Sequence, residues 1–308
     1  MEMFTQLPSM SVPNWLGLVS GVPPVVSGII GNLGLQGTHF DTIFRACERF
    51  NKTAGLTGSP WWASLLEKPV KLSLDGDAEK SLINVQGYFN FLQMSDQSAD
   101  TYRNQILKNS RVTNFSAVPD LFLAHFSDID EQGHLSGVSQ KYNLKNTYQK
   151  AVSSKVSVLK ELYITLDSST VLLIVSDHGQ VDRGGHGGTA AELLKTPLIV
   201  YKKDSNLNVN QNETRKPYAS INVASSITAL LGIPPPSTNF GSAVPEILSL
   251  LNPSQRAQQL DHLEKQQNLL LQVFSTRISA KNLSSSELSS LANLNRLDLQ
   301  YFIQLIQG

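Results

Sequence analysis

One stretch of the sequence concentrates side chains of the kinds that bind metal ions. Residues 176–188 read SDHGQVDRGGHGG, so Asp177 and His178 are adjacent and His186 follows among glycines. The stretch comes directly after the apolar run VLLIV, which predicts a buried strand that ends there. Burying a carboxylate or an imidazole without a partner is costly, whereas both groups are ordinary ligands of a metal ion. The stretch therefore raises the hypothesis of a metal site at the end of this strand.

A second stretch has the same character. Residues 128–134 read DIDEQGH after a predicted strand, and Asp130 lies four positions before His134 across a glycine. Taken alone, this pair is more typical of a surface turn with a hydrogen-bonded carboxylate. Three of the six histidines fall in the two stretches, which we interpret as loops at strand ends, and this joint placement favours a shared site. The other three are interpreted as ordinary structural or surface residues: His39, His125 and His262.

The two stretches together offer nitrogen and oxygen ligands and no sulfur. The five candidates are Asp130, His134, Asp177, His178 and His186. Such a set suits Zn²⁺, with Mn²⁺ as the alternative. A catalytic zinc normally uses three protein ligands and keeps one position open, so five ligands are too many for one ion and nearly enough for two. Two metal ions beside a hydroxyl form a clamp for in-line displacement at phosphorus, which is the chemistry that this set predicts.

The candidate hydroxyl belongs to Ser11, within the stretch SMSVPN at residues 9–14. A helix that begins near Pro13 places Ser11 at its amino end, where free N–H groups and the helix dipole favour anions. Taken alone, the residue is better explained as a simple helix cap, because serine is common at that position.

The elements that must position these residues are predicted to be alternating strands and helices. The predicted strands cover residues 120–126, 171–175 and 197–201, and the predicted helices cover residues 13–20, 41–50, 60–67, 144–162 and 220–232. Continuous apolar strands separated by helices indicate an α/β fold, with a mostly parallel sheet and helices on both faces. In such sheets ligands bind beyond the carboxyl ends of the strands, where Asp130, Asp177 and His178 are expected to lie.

Composition limits the classes of partner. The chain has 308 residues, with 25 Lys plus Arg and 25 Asp plus Glu, so its formal net charge is zero. Proteins that bind nucleic acid or anionic membranes normally carry a basic excess, so we expect no nucleic-acid partner. No apolar run is long enough to span a bilayer, and membrane association is expected only through segments absent from this chain. The single cysteine, Cys47, excludes an internal disulfide and fits the buried face of a helix.

The last part of the chain changes character. Residues 234–241 read PPPSTNFG, which predicts a loop, and glutamine-rich helices are predicted from about 254 to 274 and from 285 onward. The stretch SSSE at 284–287 has the pattern of a capping box for the last helix. We therefore divide the chain into a catalytic domain, residues 1–245, and a helical C-terminal extension, residues 246–308.

The motifs, in their order along the chain, resemble those of the alkaline phosphatase superfamily. SVPN is followed by VSGVPP, then by DEQGH, SDHG and GGHGG. Within the superfamily the pattern is similar to the type I phosphodiesterase/nucleotide pyrophosphatase group. It most resembles the lumenal domain of glycosylphosphatidylinositol (GPI) ethanolamine phosphate transferases, on the strength of SVPNW, GN and PSTNFG. The resemblance covers roughly the first 240 residues and implies an alkaline-phosphatase-like fold.

The resemblance also implies a role for each candidate residue. Ser11 is expected to be the nucleophile, and Asn14 to donate a hydrogen bond to a phosphoryl oxygen. The implied zinc ligands are Asp130, His134 and His186 at one site, and Asp177 and His178 with the Ser11 oxygen at the other.

One departure from the family pattern concerns a further metal-binding aspartate. The resemblance implies that this residue ends a first strand some tens of residues before the nucleophile, whereas this chain begins ten residues before Ser11. We therefore expect the fold to lack that strand and that ligand. Two explanations stay open: the chain is truncated at its amino end, or its second metal site is weakened.

The leading hypothesis is a two-zinc phosphoryl-transfer enzyme that uses a serine nucleophile on phosphodiester or glycolipid substrates. With an alcohol as acceptor it is a phosphoethanolamine transferase of GPI-anchor biosynthesis; with water it is a phosphodiesterase or nucleotide pyrophosphatase. A catalytically inactive fragment is the rival from another class. A sulfatase is disfavoured, because Ser11 is followed by VPN and not by the x-Pro-x-Arg pattern that sulfatases modify.

The expected compartment is the secretory pathway, either the lumen of the endoplasmic reticulum or the extracellular space. The resemblance points there, and so do four acceptor sequences for N-glycosylation, at Asn51, Asn114, Asn212 and Asn282.

Overall fold

The structure is a computed structural model. It describes residues 1–33, 37–57, 59, 61–66, 82–85, 87–90, 119–139, 141–142, 145–205 and 217–279. In these ranges the strands are β1 (Glu2–Phe4), β2 (Ala54–Thr57), β3 (Leu82–Val85), β4 (Gly87–Asn90), β5 (Leu121–Ala124), β6 (Val171–Val175), β7 (Lys195–Lys202) and β8 (Tyr218–Ala219). The helices are α1 (Ser11–Ser20), α2 (Pro24–Ser27), α3 (Ile43–Arg49), α4 (Trp61–Leu65), α5 (Asp128–Ser136), α6 (Thr147–Thr165), α7 (Ala191–Leu194), α8 (Asn222–Leu230), α9 (Pro245–Leu248) and α10 (Pro253–Ser279).

The α/β class expected from the sequence is confirmed, and the strand directions are mixed. One sheet has the order β6-β7-β1-β8, in which β7 runs antiparallel to both β6 and β1, whereas β1 is parallel to β8. A parallel pair, β2 and β5, and an antiparallel pair, β3 and β4, complete the described ladders. The chain leaves β6 at Val175 and re-enters the sheet beside it at Lys195, at the same edge, so β7 has to run in the opposite direction.

Helix α1 is the element that ties the site to the core. Its residues from Val12 to Ser20 are all buried, and its apolar side chains contribute to two core clusters, one around Trp15 and Leu16 and the other around Leu18. Helix α1 begins at Ser11, two residues before the predicted start. Pro13 therefore lies in the first turn, where a missing N–H is tolerated. A helix buried on all sides holds its first turn rigidly, and that turn carries Ser11.

A loop near the carboxyl end of α1 is clamped by a buried carboxylate. The Asp41 oxygens accept hydrogen bonds from the Arg49 guanidinium at 2.7 and 2.6 Å and from the Ser237 N–H at 2.7 Å. Burial by itself raises the pKa of Asp41, but the hydrogen bonds and charge of Arg49 and the N–H of Ser237 outweigh it, so the pKa lies below its ordinary value. The carboxylate is therefore stabilised in its charged form and joins α3 to the loop after residue 236.

The clamp predicts a pH-dependent stability. We expect Asp41→Asn to lower the free energy of unfolding at neutral pH by about 1.5–3 kcal/mol, the usual range for hydrogen bonds to a charged group. Because the folded-state pKa is lowered, this stabilisation is complete above the unfolded value of about 3.9 and is lost as the pH falls through the folded-state pKa. Urea unfolding at pH 7 and pH 3 measures the difference, which should shrink in acid.

The exposed pair Asp261 and Lys265, 2.6 Å apart on α10, provides the control for this prediction. Asp261→Asn should cost less than about 0.5 kcal/mol at either pH, as exposed ion pairs do. A difference between Asp41→Asn and the wild type that stays constant from pH 7 to pH 3 would contradict a role for the charge.

Cys47 lies on the buried face of α3, as expected. Burial raises the pKa of its thiol to about 12, so the side chain is a neutral, inert core residue.

The carboxyl-terminal elements pack against the rest of the fold. Leu248, Leu251 and Leu263 share a buried cluster with Ala229 and Ala243. Helix α10 is glutamine-rich and runs to Ser279, beyond the predicted end near 274. The boundary at 245/246 stays a prediction, and the predicted helix from 285 and its capping box lie outside the described residues. Among the residues that the structure describes, no helix combines the length and apolarity that crossing a bilayer requires.

Candidate active site

Ser11 meets His178 across the fold. The Ser11 Oγ lies 3.0 Å from His178 Nε2, and His178 Nδ1 lies 3.1 Å from the Gly179 carbonyl. A carbonyl oxygen can only accept, so Nδ1 carries the ring proton and Nε2 is the free lone pair. The serine hydroxyl donates to that lone pair. The nitrogen that faces the serine is therefore the one that is able to bind a metal ion.

Asp177 is held in place on both of its oxygens. Trp15 Nε1 donates to its Oδ2 at 2.7 Å, and the backbone N–H of His178 donates to its Oδ1 at 3.1 Å. The Asp177 Oδ2 lies 3.6 Å from His178 Nε2, so a carboxylate oxygen and an imidazole nitrogen face the same point. Asp177, His178 and the Ser11 oxygen therefore lie close together, and we refer to them as one candidate ligand group.

Asp130, His134 and His186 form the second ligand group. Their candidate ligand atoms all lie within 4.8 Å of one another. The Asp130 Oδ2 is 3.5 Å from His134 Nε2, and its Oδ1 is 3.7 Å from His186 Nε2. An ion that holds ligands tetrahedrally at about 2.0–2.2 Å separates them by roughly 3.3–3.6 Å. The donor types suit a divalent metal ion, and the two distances from Asp130 lie close to this range.

Local structure explains how distant residues reach this group. The sequence predicts a loop at 128–134, but the structure has helix α5 there. The i,i+4 spacing places Asp130 and His134 on one face of α5. His186 arrives on a loop whose flanking Gly185 and Gly187 have φ of 95° and 103°, conformations that non-glycine residues rarely adopt.

Ser9 anchors that loop beside the nucleophile. Its carbonyl accepts a hydrogen bond from His186 Nδ1 at 2.9 Å, and its hydroxyl contacts the Gly187 N–H and the Gly188 carbonyl. The proton of His186 is thereby placed on Nδ1, and Nε2 is free for a ligand bond. Burial, followed by the neighbouring His178, lowers the pKa of His186, which keeps the ring neutral as a metal ligand requires.

The two ligand groups adjoin. The rings of His178 and His186 are stacked, with centroids 3.8 Å apart and planes 19° apart, and His134 meets His186 edge-on at 4.9 Å. The stacking of His178 on His186 therefore brings the two candidate groups into direct contact.

Asn14 has another role than the one expected. The side chain is fully buried, and its Nδ2 contacts the carbonyls of Gln6, Pro8 and Met10. Its Oδ1 accepts from Gln6 N and Thr5 Oγ1. Because both ends of the amide are engaged within the protein, the structure contradicts a hydrogen bond from Asn14 to a phosphoryl oxygen. Asn14 instead shapes the loop that leads into α1.

Asp128, in the same stretch as Asp130, is paired with a lysine. Its carboxylate lies 2.5 Å from Lys155 Nζ, with both side chains largely buried. This ion pair links the first turn of α5 to α6. It therefore helps to position the helix that carries Asp130 and His134, although Asp128 is not itself in their ligand group.

Three residues at the site were missed or undervalued by the sequence. His125, interpreted as an ordinary strand residue, follows β5 and packs edge-on against Trp15 at 4.6 Å. Trp62 stacks on Trp15 with ring centroids 4.7 Å apart. The rings of His125 and Trp62 thus pack against the indole of Trp15, whose N–H donates to Asp177. Asn32, used only as a family marker, accepts from Val12 N at 3.0 Å and so lies at the first turn of α1 beside Ser11. A single sequence carries no periodicity that would bring these residues together.

Comparison with known proteins identifies the family of the chain. Residues 1–229 match the family described as type I phosphodiesterase / nucleotide pyrophosphatase. The chain therefore belongs to this family, within the alkaline phosphatase-like superfamily.

Among curated proteins the chain is similar to GPI ethanolamine phosphate transferases. It is 27% identical over 231 residues to the human GPI ethanolamine phosphate transferase 3 catalytic subunit, covering 71% of this chain and 20% of that protein. It is 23% identical over 246 residues to GPI ethanolamine phosphate transferase 3 of Schizosaccharomyces pombe, covering 80% and 25%. The chain thus spans a quarter or less of the length of these relatives. A solved 2-O GAG sulfatase is similar with a TM-score of 0.48 and 15% identity, over 79% of this chain and 64% of that one.

Proposed function

We propose that this chain is the catalytic domain of a two-zinc phosphoryl-transfer enzyme, a phosphoethanolamine transferase of GPI-anchor biosynthesis with Ser11 as its nucleophile. The observation that carries the proposal is the contact of Ser11 Oγ with His178 Nε2, 3.0 Å, beside a second group of three ligand atoms. The similarity to GPI ethanolamine phosphate transferases supports the substrate class, a phosphodiester or glycolipid.

In this proposal each candidate residue has a separate role. Asp130, His134 and His186 hold one Zn²⁺, and Asp177 and His178 hold the other together with the Ser11 oxygen. When bound, the ions supply a lowered pKa for the serine hydroxyl and positive charge beside the phosphoryl oxygens. Helix α1 carries Ser11 at its amino end, where the helix dipole favours an anion, and the burial of the helix keeps the Ser11 oxygen in line for attack.

The chemistry runs in two displacements. In the first, Ser11 Oγ loses its proton and bonds to phosphorus while the bond from phosphorus to the donor's alcohol oxygen breaks, and that oxygen takes up a proton. In the second, the acceptor's hydroxyl oxygen loses its proton and bonds to phosphorus while the bond from phosphorus to Ser11 Oγ breaks, and the serine oxygen regains a proton. A covalent phosphodiester on Ser11 links the two halves.

We propose the lumen of the secretory pathway as the compartment. The similarity to the GPI transferases supports it, together with the acceptor sequence at Asn51, whose side chain is exposed in the turn after α3. The other three acceptor sequences lie outside the described residues. Membrane association through parts of a longer protein is compatible with this placement.

Two other functions remain as outcomes of the test. Hydrolysis of phosphodiesters is favoured by the family to which residues 1–229 belong. An inactive domain is favoured by the candidate ligand group at Asp177, which has two residues besides Ser11 within the part of the chain that the structure describes.

The choice of acceptor, an added alcohol or water, distinguishes a transferase from a hydrolase. The purified chain, loaded with zinc, is given the p-nitrophenyl ester of phosphoethanolamine with and without an added alcohol such as glycerol, and products are resolved by phosphorus NMR. For a transferase we expect two zinc ions per chain and, at equal nitrophenol release, mostly the glycerol diester. Phosphoethanolamine as the main product indicates a hydrolase. Zero or one zinc without nitrophenol release indicates an inactive domain and overturns the proposal.

A further inference from the structure

A glutamine lies between the two ligand stretches. Gln180 follows His178 by two positions in the loop after β6, and its side chain reaches back to helix α5. We infer that Gln180 is a positioning residue for the metal ligand Asp130. It sets the metal affinity of the group formed by Asp130, His134 and His186. This inference rests on the proposed metal-dependent function and adds a residue to it.

The contact is made twice to the same residue. Gln180 Nε2 lies 2.5 Å from Asp130 Oδ1 and 3.0 Å from the Asp130 carbonyl oxygen. Both partners are acceptors, so the nitrogen of the amide has to face them. One donor group thereby fixes the carboxylate relative to its own backbone and selects a single rotamer of Asp130.

The other end of the amide is buried without compensation. Gln180 Oε1 is solvent-inaccessible and has no hydrogen-bond partner among the described residues. Such an unpaired buried oxygen opposes folding. The Gln180 amide therefore adds little net stability to the fold. The main effect of its hydrogen bonds is to orient the Asp130 carboxylate.

Helix α5 leaves room for this side chain at one position. A Cβ on Gly133 would lie 1.6 Å from Gln180 Oε1. Gly133 stands between Asp130 and His134 on α5, so the amide packs directly on the backbone that connects two ligands. The glycine of the DEQGH motif is thus required here by the glutamine, and any larger residue would displace the amide from Asp130.

The orientation matters because Asp130 is otherwise weakly held. Its side chain is 36% exposed, and its remaining described contacts are to the ligand histidines His134 and His186. Without Gln180, the carboxylate rotates among rotamers of which only some point at those histidines. Outer-shell hydrogen bonds of this kind are worth about 10–100-fold in metal affinity.

The test uses Gln180→Met, which keeps the length of the side chain and removes its donor. Zinc dissociation constants are measured by competition with a chromogenic chelator on the full chain. We expect the dissociation constant of the zinc ion held by Asp130, His134 and His186 to rise by about 10–100-fold. The melting temperature in a chelator should stay close to that of the wild type, because the substitution removes an unpaired buried oxygen together with the hydrogen bonds.

The chain offers a matched control in Gln266. Its Nε2 also contacts two carbonyls, those of Pro236 and Asn239, at 2.6 and 3.0 Å, but on α10. Gln266→Met should leave both zinc constants unchanged. A fall in affinity of the same size in Gln266→Met would attribute the effect to general loosening and overturn the inference.

A double-mutant cycle tests the mechanism of positioning. Gly133→Ala is expected to weaken zinc binding by about the same factor as Gln180→Ala, because the new methyl group displaces the amide. In the Gln180→Ala background, Gly133→Ala should add little further loss, since both changes break one contact. Fully additive losses would overturn the inference.

Failure of the inference and failure of the proposed function give different results. A wild-type chain that binds no zinc overturns the proposed function. A wild-type chain that binds two zinc ions, with Gln180→Met binding them equally tightly, overturns only the positioning role of Gln180.

Discussion

Ser11→Ala is expected to lower kcat/KM for a nitrophenyl phosphodiester by a factor on the order of 10⁴ or more. The hydroxyl is the atom that bonds to phosphorus in the proposed reaction, and enzymes that lose their nucleophile commonly lose activity on this scale. Stability should change little, because the substitution removes one partly buried hydrogen bond, to His178 Nε2. Initial rates of nitrophenol release, with thermal unfolding in parallel, measure both effects.

Two variants on the same helix sharpen this prediction. Ser11→Thr keeps a hydroxyl at the site and should retain measurable turnover. Ser20→Ala removes a buried hydroxyl from the opposite end of α1, where it donates to the Leu16 carbonyl, and should leave kcat/KM unchanged. Acid-quenched enzyme should carry the phosphoethanolamine group on the peptide that contains Ser11. Activity that survives in Ser11→Ala would remove this residue from the chemistry.

His134→Ala has the second-largest expected effect, on metal binding. The side chain is 47% exposed, so its removal should not unfold the protein. It contributes one of three ligand atoms to its group, and loss of a direct ligand should exceed the 10–100-fold effect of an outer-shell change. We therefore expect zinc content to fall from two ions to one per chain after dialysis, as measured by elemental analysis, with loss of turnover.

His39 serves as the control for this measurement, since it is exposed and lies outside both ligand groups. His39→Ala should keep two zinc ions and full activity. If His134→Ala retains both ions, the group around Asp130 is not a metal site.

Short motifs allowed much of the site to be predicted. The adjacent Asp177 and His178 follow an apolar run that forms β6, and a strand end is where such residues face a ligand. The four-residue spacing of Asp130 and His134 indicates a pair of metal ligands, although the sequence predicts a loop where the structure has helix α5. Glycine in DIDEQGH disfavours a helix in isolation, and packing against Gln180 overrides that local preference.

Other features were beyond prediction because they depend on contacts between distant segments. Asn14 stands three residues after Ser11, and only its burial against the carbonyls of residues 6–10 reveals a structural role. Trp15 is a buried core residue, yet its indole N–H also donates a hydrogen bond to Asp177, 162 positions away in the chain. The direction of β7 likewise follows from where the chain re-enters the sheet.

The sequence by itself determined which chemical groups are available and the elements that carry them: a serine before a buried helix, and carboxylates and imidazoles after apolar strands. These depend on local spacing, which hydrophobic periodicity reports directly. Tertiary structure alone decided which nitrogen of His178 and of His186 is free and which side chains orient the carboxylates. Hydrogen bonds between distant segments, such as those of Ser9 with His186 and of Gln180 with Asp130, form only when the fold closes, and no local pattern records them.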